Sequence, residues 1–502
     1  MIMVPGARTI CLFAIAAWLA GCAVGPDFVR PAPPDVTGYT PEPLAPVVTG
    51  SATAGGNSQR FVQDLDLPGQ WWTVFHSKPL NELIEKALIA NQDVKAAQAA
   101  LVVARENVYV QAGTLFPTVD ANFTGVRQKT AIGQPSDVGS SSIFNLFTGQ
   151  LNISYTPDVF GGNRRAIESL QAQEDAQRFA LEATYLTLIS NLAGAAVEEA
   201  SLRGQIAATQ TIIKLERDVL GLLRKQFDLG QIAESDVVAQ EAALAQVEQT
   251  LPPLQKQLLQ QRNLLSALTG GFPSERLPQK FMLGGFRLPR DLPVSLPAKL
   301  VEQRPDVRAA EANLHSMEAE IGVAVANRLP NVTLTGVIGS TAPQVDQLFT
   351  PGLGFWAAAG SVTQPLFHGG SLFHKQLAAQ AAYEQAAAQY QSVVRVATQN
   401  VADSLRAIQT DAVALHKAVA FEAAAARSLA IMRKRLELGD VNYVALFNAQ
   451  QTYQQALLTL VQVKAARYAD TVALFQALGG GWWNRNDVEP EKPLSIGDFF
   501  QR

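Results

Sequence analysis

The residue types that most often carry chemistry, cysteine and histidine, are scarce in this chain of 502 residues. The two cysteines are Cys11 and Cys22, too close in sequence for an ordinary disulfide, and no later thiol can pair with either. A zinc site is excluded by the same count, because a second thiol pair is missing. The five histidines, at 76, 315, 368, 374 and 416, show no HExxH or other ligand spacing. Neither a GxSxG nucleophile elbow nor a phosphate-binding loop occurs. The Gly-rich runs LTGGFP from Leu268 and LGGGWW from Leu478 each end a helical pattern and read as helix C-caps, not phosphate cradles. No catalytic constellation survives, and Cys22 is left without a role in folding.

The stretch before Cys22 supplies that role. One basic residue, Arg8, precedes an apolar run from Ile10 to Leu19, followed by Ala20-Gly21. This is the layout of a signal peptide over residues 1–21, too short to remain as a membrane-spanning helix. A small-residue site directly before Cys22 resembles the bacterial lipobox. That resemblance implies cleavage before Cys22, a diacylglycerol on its thiol and an N-acyl chain on its new amine. Each buried acyl methylene is worth about 0.8 kcal/mol, so two or three chains anchor stably. Ala23 in place of aspartate after the cysteine is, in bacterial lipoproteins, the pattern for delivery to the outer membrane. No other cofactor is expected.

The whole chain carries 40 basic and 44 acidic residues; loss of Arg8 with the leader leaves 39 against 44. No basic block points to nucleic acid. After Gly21 no run of about 18 apolar residues predicts a transmembrane helix, although 48% of the residues are hydrophobic. Much of that fraction is alanine, which with glutamine suits closely packed helices. From Val24 to Arg60 the chain is rich in Pro, Gly, Thr and Ser and reads as an extended tether.

The body repeats itself at a spacing of roughly 210 residues, which governs the architecture. NQDVKAAQAAL from Asn91 recurs as RPDVRAAEANL from Arg304, and LFPTVDANFTG from Leu115 as RLPNVTLTG from Arg328. TPDVFGGNRR from Thr156 matches QPLFHGGSLF from Gln364, LRKQFDLG from Leu223 matches MRKRLELG from Met432, and SALTGGF from Ser266 matches QALGGGW from Gln476. The order is the same in both copies. The predicted organisation is a tether and start of an equatorial region over 22–78, a first repeat over 79–270, a linker over 271–295, a second repeat over 296–483 and a tail over 484–502.

Each copy follows one grammar. A helical pattern, Asp93 to Ala112 in the first, runs to a proline at Pro117. Then Val119, Ala121 and Phe123 alternate with Thr118, Asp120, Asn122 and Thr124. A second run sets Leu151, Ile153 and Tyr155 against Asn152, Ser154 and Thr156, so a hairpin is expected at about 115–157. The second copy sets Val332, Leu334 and Gly336 against Thr333 and Thr335, with a weaker alternation from Gly354 to Thr363, and places a hairpin at about 328–365. Such two-faced strands suit a barrel with lipid outside and water inside. Taken alone, one of them also fits a half-buried strand of a soluble sheet.

Long helices are expected over about 163–229 and 371–438, neither broken by proline. Roughly 65 residues make a helix of about 100 Å at 1.5 Å per residue. Ile206, Ile213, Leu220 and Phe227 form one apolar seam, and Ile212, Leu215, Val219 and Leu222 a second. A two-stranded coil needs one seam; two suit a helix with a partner on each side. A shorter helix is expected from Ser235 to Leu268, which with the helix over 93–112, end to end, matches the long one.

Two hairpins supply four membrane strands, and even eight strands enclose only side chains. An open sheet in hydrocarbon leaves unpaired backbone groups, each costing several kcal/mol. Several copies must therefore share one barrel. Trimer and tetramer both leave an aqueous bore, and pore width does not choose between them.

The residues carry a wider resemblance. CAVGPDFVRPAPP from Cys22, WWTVFHSKPLNELIEKAL from Trp71, SLPAKLVEQRPDVRAAEANL from Ser295, IGVAVANRLPNVTLTGVIG from Ile321 and ALGGGWW from Ala477 resemble the TolC-type outer membrane factors, specifically the NodT-like outer-membrane efflux lipoproteins. The resemblance implies an α+β outer membrane efflux protein fold: a homotrimeric twelve-stranded β-barrel continued by a long periplasmic α-helical barrel, built from two tandem repeats. It also implies an efflux duct for small toxic compounds, docked on a periplasmic adaptor and an inner-membrane pump, commonly of the proton-driven RND class. The family closes the periplasmic end with hydrogen bonds and salt links. Asp236 falls on a family tip position beside Glu234, and Arg433, Arg435, Asp440 and Tyr443 lie near enough to be partners. Where the family often has an acidic entrance ring this chain has Ala445 and Asn448, which argues against a strong cation preference. The competing readings are an outer-membrane lipolytic enzyme, a periplasmic coiled-coil spacer without a pore and, within the channel class, a duct for protein export.

Overall fold

The computed structural model describes residues 23–44, 47–48, 58–131, 141–275 and 277–488. Cys11 and Cys22 lie outside them, as does the tail beyond residue 488. Nine α-helices fall within the described residues: α1 Lys78–Ala90, α2 Gln92–Gly113, α3 Gly162–Asp228, α4 Glu234–Glu248, α5 Leu251–Leu268, α6 Pro297–Gln303, α7 Pro305–Ala326, α8 Ser371–Glu437 and α9 Tyr443–Ala477. The strands are β1 Val47–Val48, β2 Gln59–Gln63, β3 Thr118–Ala131, β4 Ser141–Tyr155, β5 Asp291–Val294, β6 Asn331–Ala342 and β7 Gly354–Thr363.

The two hairpins expected from alternation join into one antiparallel sheet of order β3-β4-β6-β7. The register keeps the faces intact: Ala121 lies opposite Leu151, Leu151 opposite Ile338, and Ile338 opposite Trp356. With a period of two, one such match aligns every neighbouring pair on the same face. A smaller sheet, β1-β2-β5, pairs β2 in parallel with β5 beside the middle of the helices.

Both long helices are 67 residues, close to the expected bounds. An 18-residue window of α3 reaches a mean hydropathy of 1.2, long and apolar enough to cross a membrane, but half of it is buried within the fold. The expected continuous helix from Ser235 to Leu268 is corrected: it divides into α4 and α5 at Gln249–Thr250. Pro252 and Pro253 cause the break, since each lacks an N–H and both sit in the first turn of α5, where that loss is tolerated. Its counterpart α9 has no proline and runs unbroken for 35 residues.

The short helices do stack end to end. Asn91 caps α2 by accepting from the Asp93 and Val94 amides at 2.8 and 3.1 Å, and donates its own amide to Leu268 O at the end of α5 at 3.0 Å. At the matching position of the second copy, Arg304 donates to Ala477 O at 3.0 Å and pairs with Asp306 at 2.6 Å. Around these junctions lies the main core, in which Trp71 stacks on Phe475 at 5.3 Å beside Trp72, Phe75, Leu83 and Leu474. Arg262 donates to Leu277 O and Gln279 O at 2.6 and 3.1 Å, tying the linker to α5. The segment after Ala23 is extended but is laid along the helices instead of hanging free. Val24 N donates to Phe160 O at 3.0 Å, buried Arg165 pairs with Asp27 at 2.6 Å, and Phe28 stacks on His315 at 4.3 Å.

Candidate functional site

The four-stranded sheet has one apolar face left uncovered by the described residues. Val119, Phe123, Leu151, Ile153, Leu334 and Ile338 stand exposed there, and Trp356 is 77% exposed. On the opposite face polar side chains bond laterally: Gln150 to Asn152 at 2.8 Å, Thr124 to Asn122 at 2.8 Å, and Thr148 with Thr341 at 3.3 Å. This separation of faces is what a lipid-facing wall with a wet interior requires. The outer strands β3 and β7 each have a partner on one side only among the described residues.

The helices form a wall with the same defect. In the half nearer the sheet the order of neighbours is α2-α3-α7-α8; in the other half it is α4/α5-α3-α9-α8. Every layer is thus four staves wide. One open edge is built by β3, α2, α4 and α5, the other by β7 and α8. The burial of the two equal helices records this directly, for α3 buries 27 side chains and α8 only 13. The seams read along α3 meet partners on both sides near its middle, where Ile212, Ile213 and Leu215 share one cluster with Leu244 and Val247 on α4 and Tyr453 and Leu457 on α9, whereas Phe227, at the end of the first seam, is exposed.

At the end far from the sheet the helix pairs turn through matching caps. Gly230 and Gly439 take φ of +69° and +72°, a conformation that costs glycine little. The following amides, of Gln231 and Asp440, reach back to Gln226 O and Arg435 O, each at 2.9 Å. This is the Schellman closure of a helix C-terminus. Val219, Leu223, Leu436, Tyr443 and Leu446 form a small core behind the two turns.

The residues expected at this tip fall into different arrangements. Arg435 pairs with Asp440 at 2.7 Å across its own turn, and Arg433 with Glu437 at 3.7 Å one helical turn along. Neither reaches Asp236, which makes no ion pair within the described residues. Local pairing wins because the Schellman turn folds Asp440 back over Arg435. Glu234 and Asp236 occupy the first turn of α4, where the helix dipole favours acidic groups. Ala445 and Asn448 lie in the first two turns of α9, Asn448 exposed. Tyr443 is buried, and its hydroxyl donates to Gln240 Oε1 on α4. Gln240 in turn donates to the backbone oxygen of Glu216 at 3.0 Å and to its carboxylate at 2.5 Å. Burial, then the charges of Glu216 and Asp236, raise the Tyr443 pKa, so its hydroxyl stays a donor. Burial also raises the Glu216 pKa, against the bond from Gln240. Gln240 and Glu216 were missed in the sequence; the available signal was a carboxylate among the apolar stripes of α3.

The family comparison can be set on this geometry. The sequence model of the outer membrane efflux protein family matches residues 83–271 and again 296–480, once over each copy. The chain belongs to the outer membrane efflux protein family. It is similar to the toluene efflux pump outer membrane protein TtgC of Pseudomonas putida, 27% identical over 485 residues, covering 95% of this chain and 96% of the relative. It is also similar to the pyoverdine export outer membrane protein OpmQ of Pseudomonas putida, 29% identical over 454 residues, 88% of this chain and 94% of the relative. Among solved structures, the outer-membrane channel OprN superimposes with a TM-score of 0.81 at 26% identity, over 92% of this chain and all of the other. As a member of this outer-membrane efflux family the protein is a channel component, with its sheet in the outer membrane and its helical wall extending into the periplasm. The tandem-repeat α+β architecture read from the sequence is the observed one. The known proteins it matches are channels and efflux components rather than enzymes.

Proposed function

We propose that three copies of this chain close one duct, which receives small toxic compounds from a periplasmic adaptor and an inner-membrane pump of the proton-driven class and releases them outside. The observation that carries this is the four-stave wedge. Each layer ends in two different open edges, so copies join head to tail until the ring closes. Two copies make eight strands, which side chains fill; three make twelve and leave a bore. Resemblance to the TolC-type factors selects three over four. The relatives named for toluene efflux and pyoverdine export support a small-molecule cargo. Ala445 and Asn448, uncharged where an acidic entrance ring would stand, support transport without strong cation preference.

The tip is the gate in this reading. Tyr443, Gln240 and Glu216 hold α9 of the second copy to α3 and α4 of the first, and Asp236, which makes no ion pair among the described residues, is left with Glu234 to meet Arg433 or Arg435 of a neighbouring protomer. Acylation at Cys22 anchors the assembly. Ala23, the next residue, lies against Gly161 at the base of the sheet, a position that suits lipid chains entering the inner leaflet. The test is native mass of the detergent-extracted protein together with single-channel recording in a planar bilayer. A trimer that conducts is expected; a monomer without conductance overturns the reading.

A further inference from the structure

The two copies correspond helix for helix without a gap. Both α3 and α8 are 67 residues, the first set between Gly161 and Leu229, the second between Gly370 and Leu438. Both α2 and α7 are 22 residues, the first between Asn91 and Thr114, the second between Arg304 and Asn327. Inside the chain the copies meet along α3 and α7. There the fully buried Ser169 and Ser316 bond at 2.9 Å, and Glu168 meets His315 at 2.9 Å. On α8 the counterparts of Ser169 and Glu168 are Ala378 and Leu377; on α2 those of Ser316 and His315 are Val103 and Val102. All four are exposed in the single chain, Val103 by 60% and Leu377 by 43%, and they stand on its two open edges. Each polar pair has thus turned apolar on both its sides, the change expected of side chains that face one another.

Resting on the closed ring of the duct reading, we infer that neighbouring chains meet in the register of the internal junction. The helix α8 of one chain takes the place of α3, and α2 of the next takes the place of α7. Ala378 then packs on Val103, and Leu377 on Val102, of the neighbouring protomer. The strands give the same alignment. Ile153 lies opposite Gly336 within the sheet. Their counterparts are Val362 and Phe123, 69% and 61% exposed on the one apolar face. Sliding the edge by one residue sets Val362 against Asn122 or Thr124 of the polar face, which the two-residue period forbids. An apolar boundary also suits its task. Separate chains are driven together by burial of apolar surface, whereas the internal junction is held by the continuity of the chain.

The experiment is oxidative cross-linking of Val103→Cys/Ala378→Cys protein in isolated outer membranes, read on a non-reducing gel beside the parent and each single variant. Both positions are exposed in the single chain, so the substitutions leave its folding intact. A disulfide needs Cβ atoms within about 3.5–4.5 Å and therefore reports register. Bands at two and three times the mass of one chain are expected, absent from the single variants and collapsed by reductant. Val110→Cys/Ala378→Cys, displaced about 10 Å along α2 at 1.5 Å per residue, should not cross-link. As a second readout, Val102→Asp should lower the oligomeric fraction on a native gel about fivefold by burying an unpaired charge, and adding Leu377→Lys should restore it. Links in the Val110 pair, no links in the Val103 pair, or no rescue by Leu377→Lys would overturn the register. If the parent still has the native mass of three chains, the duct reading survives that failure; a native mass of one chain would overturn both.

Discussion

A tyrosine hydroxyl can hold two helix hairpins together only while it keeps its proton and finds a buried acceptor, and Tyr443 meets both conditions. Removing the hydroxyl in Tyr443→Phe leaves Gln240 Oε1 buried without its donor, a cost of about 1–3 kcal/mol. The expected result is a looser tip: a higher open probability in planar bilayers and greater uptake of a large antibiotic by cells. Unchanged conductance and uptake would reduce the bond to a packing detail. Asp236→Ala should act differently, because Asp236 makes no ion pair among the described residues of its own chain. If it meets a neighbouring protomer, its loss should raise conductance of the assembled channel without lowering the melting temperature of the chain. At the other end, Cys22→Ser should abolish labelling by radioactive palmitate. Label persisting in that variant would remove the lipid anchor.

Among the elements, the contact of α8 with α9 carries an electrostatic tension. Asp411 on α8 faces Asp470 and the fully buried Arg467 on α9, and Arg467 also donates to Gln59 on β2 at 3.2 Å. Burial first, then the bond and charge of Asp470, push the Asp411 carboxyl up to about 7 despite Arg467. The folded state therefore holds a proton that the unfolded chain gives up in the ordinary aspartate range. Stability is highest below that range, falls as pH rises toward 7, and stays lower above it. Asp411→Asn should remove this dependence. Its melting temperature should exceed the parent's by a few degrees at pH 8, with solvent screening at this half-buried site keeping the gain small. An equal pH slope in parent and variant would show that the pair is not the cause. The α4–α5 break is of another kind, since Pro252 and Pro253 act through the backbone, by missing donors and by the clash of their rings with the preceding turn, and not through charge.

For the whole molecule the decisive property is incompleteness. An apolar sheet face with Trp356 mostly exposed, β3 and β7 paired on one side only among the described residues, and a long α8 with half the buried positions of α3 describe a segment of a wall. The duct reading predicts that the extracted protein sediments at three times the mass of one chain and conducts. Truncating the hairpin β6–β7 should abolish insertion altogether, since two strands per copy cannot enclose a bore; heat-modifiable migration on a gel would check this.

What the sequence by itself determined was periodic and local. Two-residue alternation set the strands and their faces, unbroken helical pattern set the two long helices, the glycines of LTGGFP and LGGGWW marked two helix ends, and five ordered matches revealed the repeat. These are properties that neighbouring residues impose on one another through backbone geometry, so they survive without knowledge of the fold. Only the tertiary structure decided which polar groups meet. Arg435 chose Asp440 because a turn brought it back, and Tyr443 found Gln240, some 200 residues away, because α3 lies between their helices. Contacts of that kind depend on where whole helices pass one another, and no spacing along a single segment records it.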